Sequence, residues 1–258
     1  MGILEVTNLT KKFGELYATN NINMNIMEKS ITAVIGPNGA GKTTFFNMIT
    51  GVYKPTSGQI FLNGQPISGL KPHLVTKQGI ARTFQNIRLF SALTVLDNVL
   101  IGMHHHLKSS WIGTLLQMPG TKNAEEKAQR EAYKLLKYVG LAELVNESAG
   151  NLAYGQQRRL EIARAIATKP KILLLDEPAA GMNPKETKDL TNLIHHMRAE
   201  LDITIILIEH DMRLVMEISD YIFVLDHGEE IASGKPDEIK NNPRVIEAYL
   251  GKGAVSTA

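Results

Sequence analysis

Ile31-Thr-Ala-Val-Ile35 runs straight into Gly36-Pro-Asn-Gly-Ala-Gly41-Lys42-Thr43, and the fold is decided at that junction. The first five residues are a compact apolar run of buried-strand length, ended by Gly36. The next eight match GxxxxGK[ST] in full and a helical stretch follows, which is the context the motif requires. Across Gly36, Pro37, Asn38, Gly39, Ala40 and Gly41 the glycines let successive N–H groups turn inward around a phosphate, and the helix N-terminus adds a favourable dipole. Lys42 is expected to reach the β- and γ-phosphates, the Thr43 hydroxyl to ligate Mg²⁺, and Thr44 to donate to another phosphate oxygen. The competing reading is a Gly-rich turn in an unrelated α/β protein, and the full motif in context argues against it.

Further along, Ile172-Leu-Leu-Leu-Asp176-Glu177 supplies a second buried strand with acids at its C-terminal end, where α/β sheets place ligands. Asp176 suits a Mg²⁺-water ligand, and Glu177 could take a proton from an attacking water. Capping of the next helix is the alternative use of such a pair. Ile203–Ile208 and Tyr221–Leu225 are also apolar runs of strand length. Ahead of the first of them Leu190, Leu193, Ile194, Met197 and Leu201 fall at helical spacing, behind Asn183 as N-cap, Pro184 at the first position and Glu186 in the first turn. Strand, helix, strand with short connectors predicts a parallel sheet covered by helices. Nearer the start, Ile3–Val6, Ile22–Ile26 and Ile60–Leu62 read as short strands, the last followed by an Asn63-Gly64 hairpin turn. From Ile87 to Leu152 no run looks like a buried strand. Ala124–Val139 there reads as an amphipathic helix with Ala128, Ala132, Leu135, Leu136 and Val139 on one side, so this part is expected to be a helical insertion.

The chain has 258 residues, 43% hydrophobic and 21% charged, which sets disordered and fibrous classes aside and suits one domain with a sizeable insertion. With no cysteine, disulfides, thiolate metal sites and a cysteine nucleophile are excluded. A formal charge of +2 carries no nucleic-acid footprint. Apolar runs stop well short of the roughly 18 residues a membrane span needs. The opening residues lack the basic-then-apolar order of a secretory signal, so a cytoplasmic location is expected.

Leu152-Ala-Tyr-Gly-Gln156-Gln-Arg-Arg159, just ahead of a helix and shortly before the Asp176-Glu177 strand, resembles the signature sequence of ABC-transporter ATPases. With it come Gln85 in Arg82-Thr-Phe-Gln85, Ala179-Ala-Gly-Met-Asn183, His210 in Ile208-Glu-His-Asp, and Phe13 about 30 residues before Lys42. The resemblance covers essentially the whole chain. It implies a P-loop NTPase (RecA-like) α/β core with an N-terminal antiparallel β-subdomain and an inserted α-helical subdomain, divided as residues 1–86 with 159–258, and 87–158. It implies ATP and Mg²⁺ as cofactors, with Thr43, Gln85 and Asp176 toward the metal and Phe13 stacked on adenine. Lys42, Gln85, Glu177 and His210 would serve hydrolysis: Glu177 aligns or deprotonates water, His210 contacts the γ-phosphate and holds Glu177, and Gln85 senses the γ-phosphate. Two such domains would pair head to tail, so Leu152, Ala153, Tyr154, Gly155 and Gln156 would serve the partner's nucleotide. Ala153 stands where the family has serine, Tyr154 where it has glycine, and Asn183 where the D-loop usually ends in Asp.

The finer resemblance, carried by Arg82–Phe90, Thr94–Val99, Asn151–Ala163, Glu177–Thr187 and Asn242–Gly251, is to the ATPase subunits of branched-chain amino-acid importers. ATPases of urea uptake and lipopolysaccharide export share much of the pattern. Partners implied are a second ATPase subunit, transmembrane permease subunits at the inner face of the membrane and an extracytoplasmic solute-binding protein, with no nucleic acid. Ile87, Leu89 and Phe90 are candidates to line a permease groove, with core packing the competing use. The rivals from other classes are a soluble ABC ATPase of DNA repair or translation and a nucleotide-binding regulator with little hydrolysis. His104-His105-His106 and His195-His196 are expected to be solvated rather than metal-binding, since adjacent side chains diverge. Trp111–Met118 is expected to be core, with an exposed patch meeting a membrane partner the competing reading.

Overall fold

The computed structural model describes residues 2–104 and 119–250. Leu4–Phe13 (β1), Leu16–Ile26 (β2), Ser57–Leu62 (β4) and Gln65–Pro66 (β5) form an antiparallel sheet in the order β2-β1-β4-β5. The first two strands run far beyond the short stretches expected. Their outer halves, including Thr7, Asn8, Lys11 and Lys12, are polar because that half of the hairpin lies toward solvent, and no apolar run marked it. Asn63 and Gly64, both at positive φ, close the β4–β5 hairpin as anticipated.

Ile31–Ile35 (β3), Ile80–Arg82 (β6), Ile172–Asp176 (β7), Thr204–Ile208 (β8), Tyr221–Asp226 (β9) and Glu229–Gly234 (β10) form the second sheet in the order β10-β9-β3-β8-β7-β6. All neighbours are parallel except β9 and β10. Every residue of β3, β7 and β8 is buried, because the sheet is covered on both faces, and this is why those strands read as near-continuous apolar runs. Side-chain alternation divides each strand between two cores. Ile31, Ala33, Leu173, Leu175, Ile205 and Leu207 face one, and Val34, Ile172, Leu174, Ile206 and Ile208 face the other. The second core holds the antiparallel sheet and Lys42–Ile49 (α1), with Phe45 and Phe46 fully buried.

After Pro72–Gln78 (α2) and β6, the described residues form the α-helices Val95–Met103 (α3), Pro119–Tyr138 (α4) and Tyr154–Ile166 (α5), which pack on one another and on the first core. Ala128, Ala132, Leu136 and Val139 are buried and Leu135 partly so, the face the helical spacing placed inward. Thr94 caps α3 in a full capping box with Asp97. Pro184–Leu201 (α6) starts as anticipated: Asn183 Oδ1 accepts from the N–H groups of Lys185 and Glu186, and Glu186 Oε2 accepts from Asn183 N, each at 3.0 Å. Met212–Ile218 (α7), Pro236–Lys240 (α8) and Pro243–Leu250 (α9) are the last helices among the described residues. Among the described residues no helix is long and apolar enough to cross a membrane. His104 is exposed at the end of α3, and on α6 His195 is partly exposed and His196 exposed. His105, His106 and Trp111–Met118 lie outside the described residues.

Candidate nucleotide site

β3 stops where Gly36 turns the chain, and α1 starts six residues later at Lys42. Two glycines in this loop are dictated by close approach. A Cβ on Gly36 (φ 149°) would sit 2.0 Å from the Leu225 carbonyl oxygen, and one on Gly41 (φ 99°) would sit 2.3 Å from that of Ala18. The turn between β9 and β10 braces the loop from the side, with Gly228 N donating to Ala40 O at 3.1 Å and Asn20 N donating to Gly228 O at 2.7 Å. Lys42 is 6% exposed and its Nζ donates to the carbonyls of Gly36 (2.7 Å) and Pro37 (2.9 Å). Burial holds this ammonium below the ordinary lysine pKa, against the opposing pull of the Glu177 and Asp176 carboxylates.

A cleft of about 600 Å³ opens above the loop, lined by residues 38–44, by Gln85, Glu177 and His210, and by Leu16, Tyr17, Ala18 and His227. Glu177, one residue past β7, has φ 47°, a left-handed backbone that costs a non-glycine residue about 1–3 kcal/mol. It is held there by its N–H donating to Ile208 O at 2.9 Å. Its carboxylate is clasped from two sides: Gln85 Nε2 donates to Oε2 at 2.8 Å, and His210 Nε2 lies 2.9 Å from Oε1. Three residues scattered over the sequence thus meet at one carboxylate beside the phosphate loop. Asp176 lies behind, 3% exposed, in a buried ion pair with Arg82 Nη2 at 2.6 Å. Arg82 also donates to Asn47 Oδ1 at 2.7 Å, and its guanidinium lies 5.5 Å from the Phe46 ring centroid and 5.3 Å from that of Phe84.

Not every anticipated residue comes to this cleft. Phe13 is not on its wall. Lys11 and Phe13 share a strand face, and there Phe13 packs edge-on against Tyr53 (5.4 Å) with Lys11 Nζ 4.9 Å from its centroid. The aromatic ring on the wall is Tyr17. Leu152, Ala153, Tyr154, Gly155 and Gln156 also lie apart from it, at the start of α5. Ala153 is the N-cap and its side chain has no oxygen to offer, so only half a capping box forms: Gln156 Oε1 accepts from Ala153 N at 3.0 Å. Phe90 is 49% exposed, while Leu89 is partly buried against the core.

No sequence motif marks Tyr17 or His227, and none assigns a task to Arg82 or Glu209. Glu209 is 3% exposed and its carboxylate accepts from Ala179 N (2.7 Å) and His210 N (3.1 Å), joining the turn after β7 to the histidine. Burial pushes its carboxyl above the usual carboxylate range, with those N–H donors pulling the other way. Its signal was a charged residue continuing a buried strand, a pattern that demands partners.

A phosphate loop, a strand-end carboxylate pair and a histidine gathered at the C-terminal edge of a mainly parallel sheet define a P-loop nucleotide hydrolase. The chain belongs to the ABC transporter family, whose model matches residues 19–180, and residues 229–255 match a second model described as branched-chain amino acid ATP-binding cassette transporter. It is 52% identical, over 97% of this chain and 98% of the relative, to the high-affinity branched-chain amino acid transport ATP-binding protein BraF of Pseudomonas aeruginosa. Among solved structures, the ADP conformation of an ATP-binding cassette of an ABC transporter is similar with a TM-score of 0.85 and 34% identity, covering 98% of this chain and 100% of that one. A dimeric post-hydrolysis cassette bound to ADP and Pi is similar with a TM-score of 0.77 and 29% identity, over 90% of this chain and 98% of that one. The protein is therefore an ATP-binding, ATP-hydrolysing subunit of the ABC-transporter type.

Proposed function

We propose that this chain powers import of branched-chain amino acids, as one of a pair of ATPase subunits beneath a transmembrane permease, at the inner face of the cell membrane and fed by an extracytoplasmic solute-binding protein. The observation that carries the catalytic part is the Glu177 carboxylate held between Gln85 Nε2 and His210 Nε2 beside the phosphate loop. The substrate class is supported by the likeness to a branched-chain amino acid transport ATPase and by the match of the C-terminal segment. Pairing is supported by the dimeric cassette with the same fold.

ATP lies with its phosphates on the N–H groups of the 36–44 loop, and Lys42 exchanges its two loop carbonyls for phosphate oxygens. Mg²⁺ suits the donors present, one hydroxyl and one carboxylate: Thr43 and Asp176 would hold it together with the phosphates. The ion offsets phosphate charge when bound. Glu177 orients the attacking water and accepts its proton, and the two nitrogens flanking it hold the carboxylate in line. Gln85 and His210 report the presence of the γ-phosphate to the rest of the chain. Leu152–Gln156 meet the partner's nucleotide, where the α5 N-terminus offers backbone N–H groups despite the missing serine hydroxyl.

Glu177→Gln is the test. ATP affinity should be retained while turnover falls about 10²–10⁴-fold, the span attributed to a general base, and the closed pair should accumulate. Full ATPase activity in that variant would remove Glu177 from its role. Turnover of the assembled complex stimulated by leucine, isoleucine and valine supports the substrate class; stimulation by a different solute alone replaces it.

A further inference from the structure

We propose that Arg82 is a resident counter-cation for Asp176: it keeps the nucleotide-free site from holding a divalent ion by itself, so that Mg²⁺ enters only together with the nucleotide's phosphates. The proposal rests on the reading above that Asp176 serves the metal. Arg82 ends β6, opposite Leu174 on the parallel neighbour β7, and its side chain reaches along that strand to the Asp176 carboxylate. There Nη2 donates to Oδ2 at 2.6 Å, and among the described residues Oδ1 accepts no hydrogen bond. The guanidinium is fixed from further sides. Nη1 donates at 2.7 Å to Oδ1 of Asn47 on α1, the helix that leaves the phosphate loop, and the rings of Phe46 and Phe84 lie 5.5 and 5.3 Å away. Thr83, the next residue, ties the same strand ends: its N–H donates to Leu174 O at 2.9 Å and its Oγ1 accepts from Asp176 N at 3.4 Å.

The charges at this end of the sheet cancel. Asp176 and Glu177 are the carboxylates beside the phosphate loop, and Lys42 and Arg82 the cations, while the Glu209 carboxylate is occupied by the N–H groups of Ala179 and His210. The pull of Glu177 and Asp176 on Lys42 shows that their charge is felt at the loop. Two negative groups against two positive ones leave little net field to attract a bare divalent ion, whereas a nucleotide's phosphates bring their own. A buried carboxylate retained for a metal needs a cation whenever the metal is away. Arginine meets that need with a charge that no ordinary pH removes. Apolar packing would hold the strand ends at lower cost, and Arg82 Nε is buried without a partner among the described residues. The charge itself is therefore what this side chain contributes.

The experiment titrates Mn²⁺, a spectroscopic stand-in for Mg²⁺, into the full chain and reads the free ion by electron paramagnetic resonance, with and without a non-hydrolysable ATP analogue. Wild type should bind Mn²⁺ with the analogue and only weakly without it. Arg82→Gln keeps a donor beside Asp176 and removes the charge. Without nucleotide it should bind Mn²⁺ at least about tenfold more tightly than wild type, a conservative figure for one unit charge acting on a divalent ion at an effective dielectric of about 20. Arg82→Lys keeps the charge and should stay within about threefold of wild type. In Arg82→Gln/Asp176→Asn the gain should vanish. A gain in affinity is a readout that damage to the fold does not produce. The proposal is overturned if nucleotide-free Arg82→Gln binds Mn²⁺ within about threefold of wild type, or if the double variant keeps the gain. Where Arg82→Gln does not fold, Arg82→Met replaces it, with the same gain expected and the same result against it. Failure of wild type to bind Mn²⁺ even with the analogue would instead count against the Mg²⁺ reading.

Discussion

Removing the Arg82 side chain isolates the energetics of the buried Asp176 carboxylate. The two side chains are 7% and 4% exposed and meet at 2.6 Å, so in Arg82→Met the carboxylate is left without its counter-charge. Methionine keeps an apolar stem beside Phe46 and Phe84, so what is lost is the counter-charge together with the bond to Asn47 Oδ1. Breaking a buried pair from one side costs about 3–5 kcal/mol. Against a total stability of about 5–15 kcal/mol, and at about 2–4 °C per kcal/mol for a chain of this size, the melting temperature should fall by roughly 6–20 °C. The assay is thermal unfolding by circular dichroism without nucleotide or Mg²⁺, since bound ligand would mask the loss. The companion variant Arg82→Met/Asp176→Leu removes both charges and should recover most of the lost stability, although it forfeits the carboxylate assigned to Mg²⁺. A single variant melting within about 2 °C of wild type, or a double variant no better than the single, would refute the reasoning.

Two further outcomes are expected. Asn183→Ala removes an acceptor for two N–H groups at the start of α6 and should cost about 0.5–2 kcal/mol by urea denaturation, whereas Asn183→Asp, which keeps the oxygen, should stay close to wild type; equal losses would show that the cap is not the cause. Lys42 has its pKa lowered by burial, and arriving phosphate charge favours the protonated form, so the bound pKa exceeds the free one. Between those two values ATP binding takes up a proton and affinity falls as pH rises. Calorimetry in alkaline buffers of differing ionisation enthalpy should show this, and Lys42→Met should abolish it.

The parts of the fold legible in the sequence are those buried on both sides. β3, β7, β8 and β9 announce themselves because nothing more polar than a threonine interrupts their apolar runs. β10, Glu229–Gly234, is an edge strand whose residues are mostly exposed or half-exposed, and β6 has only three residues, so neither carries a periodic signal. The start of α6 was readable because capping chemistry is local, as was the phosphate loop. The pairing of Arg82 with Asp176, 94 residues apart, had no such local sign. Nor did Tyr17 and His227, which reach the cleft only because the β9–β10 turn packs on the loop and on β2. Phe13 carries a family spacing from Lys42, and its ring lies against Tyr53 at the end of the hairpin whose Leu16 and Tyr17 line the cleft.

The central sheet, a single layer thick, acts as a bulkhead. On β7 Leu173 and Leu175 belong to the compartment of α3, α5 and α6, and Ile172 and Leu174 to that of the phosphate loop's helix. Sequence drift in one compartment need not be answered in the other. A family could therefore refit the helical side to many different membrane partners while the chemistry across the wall stays the same.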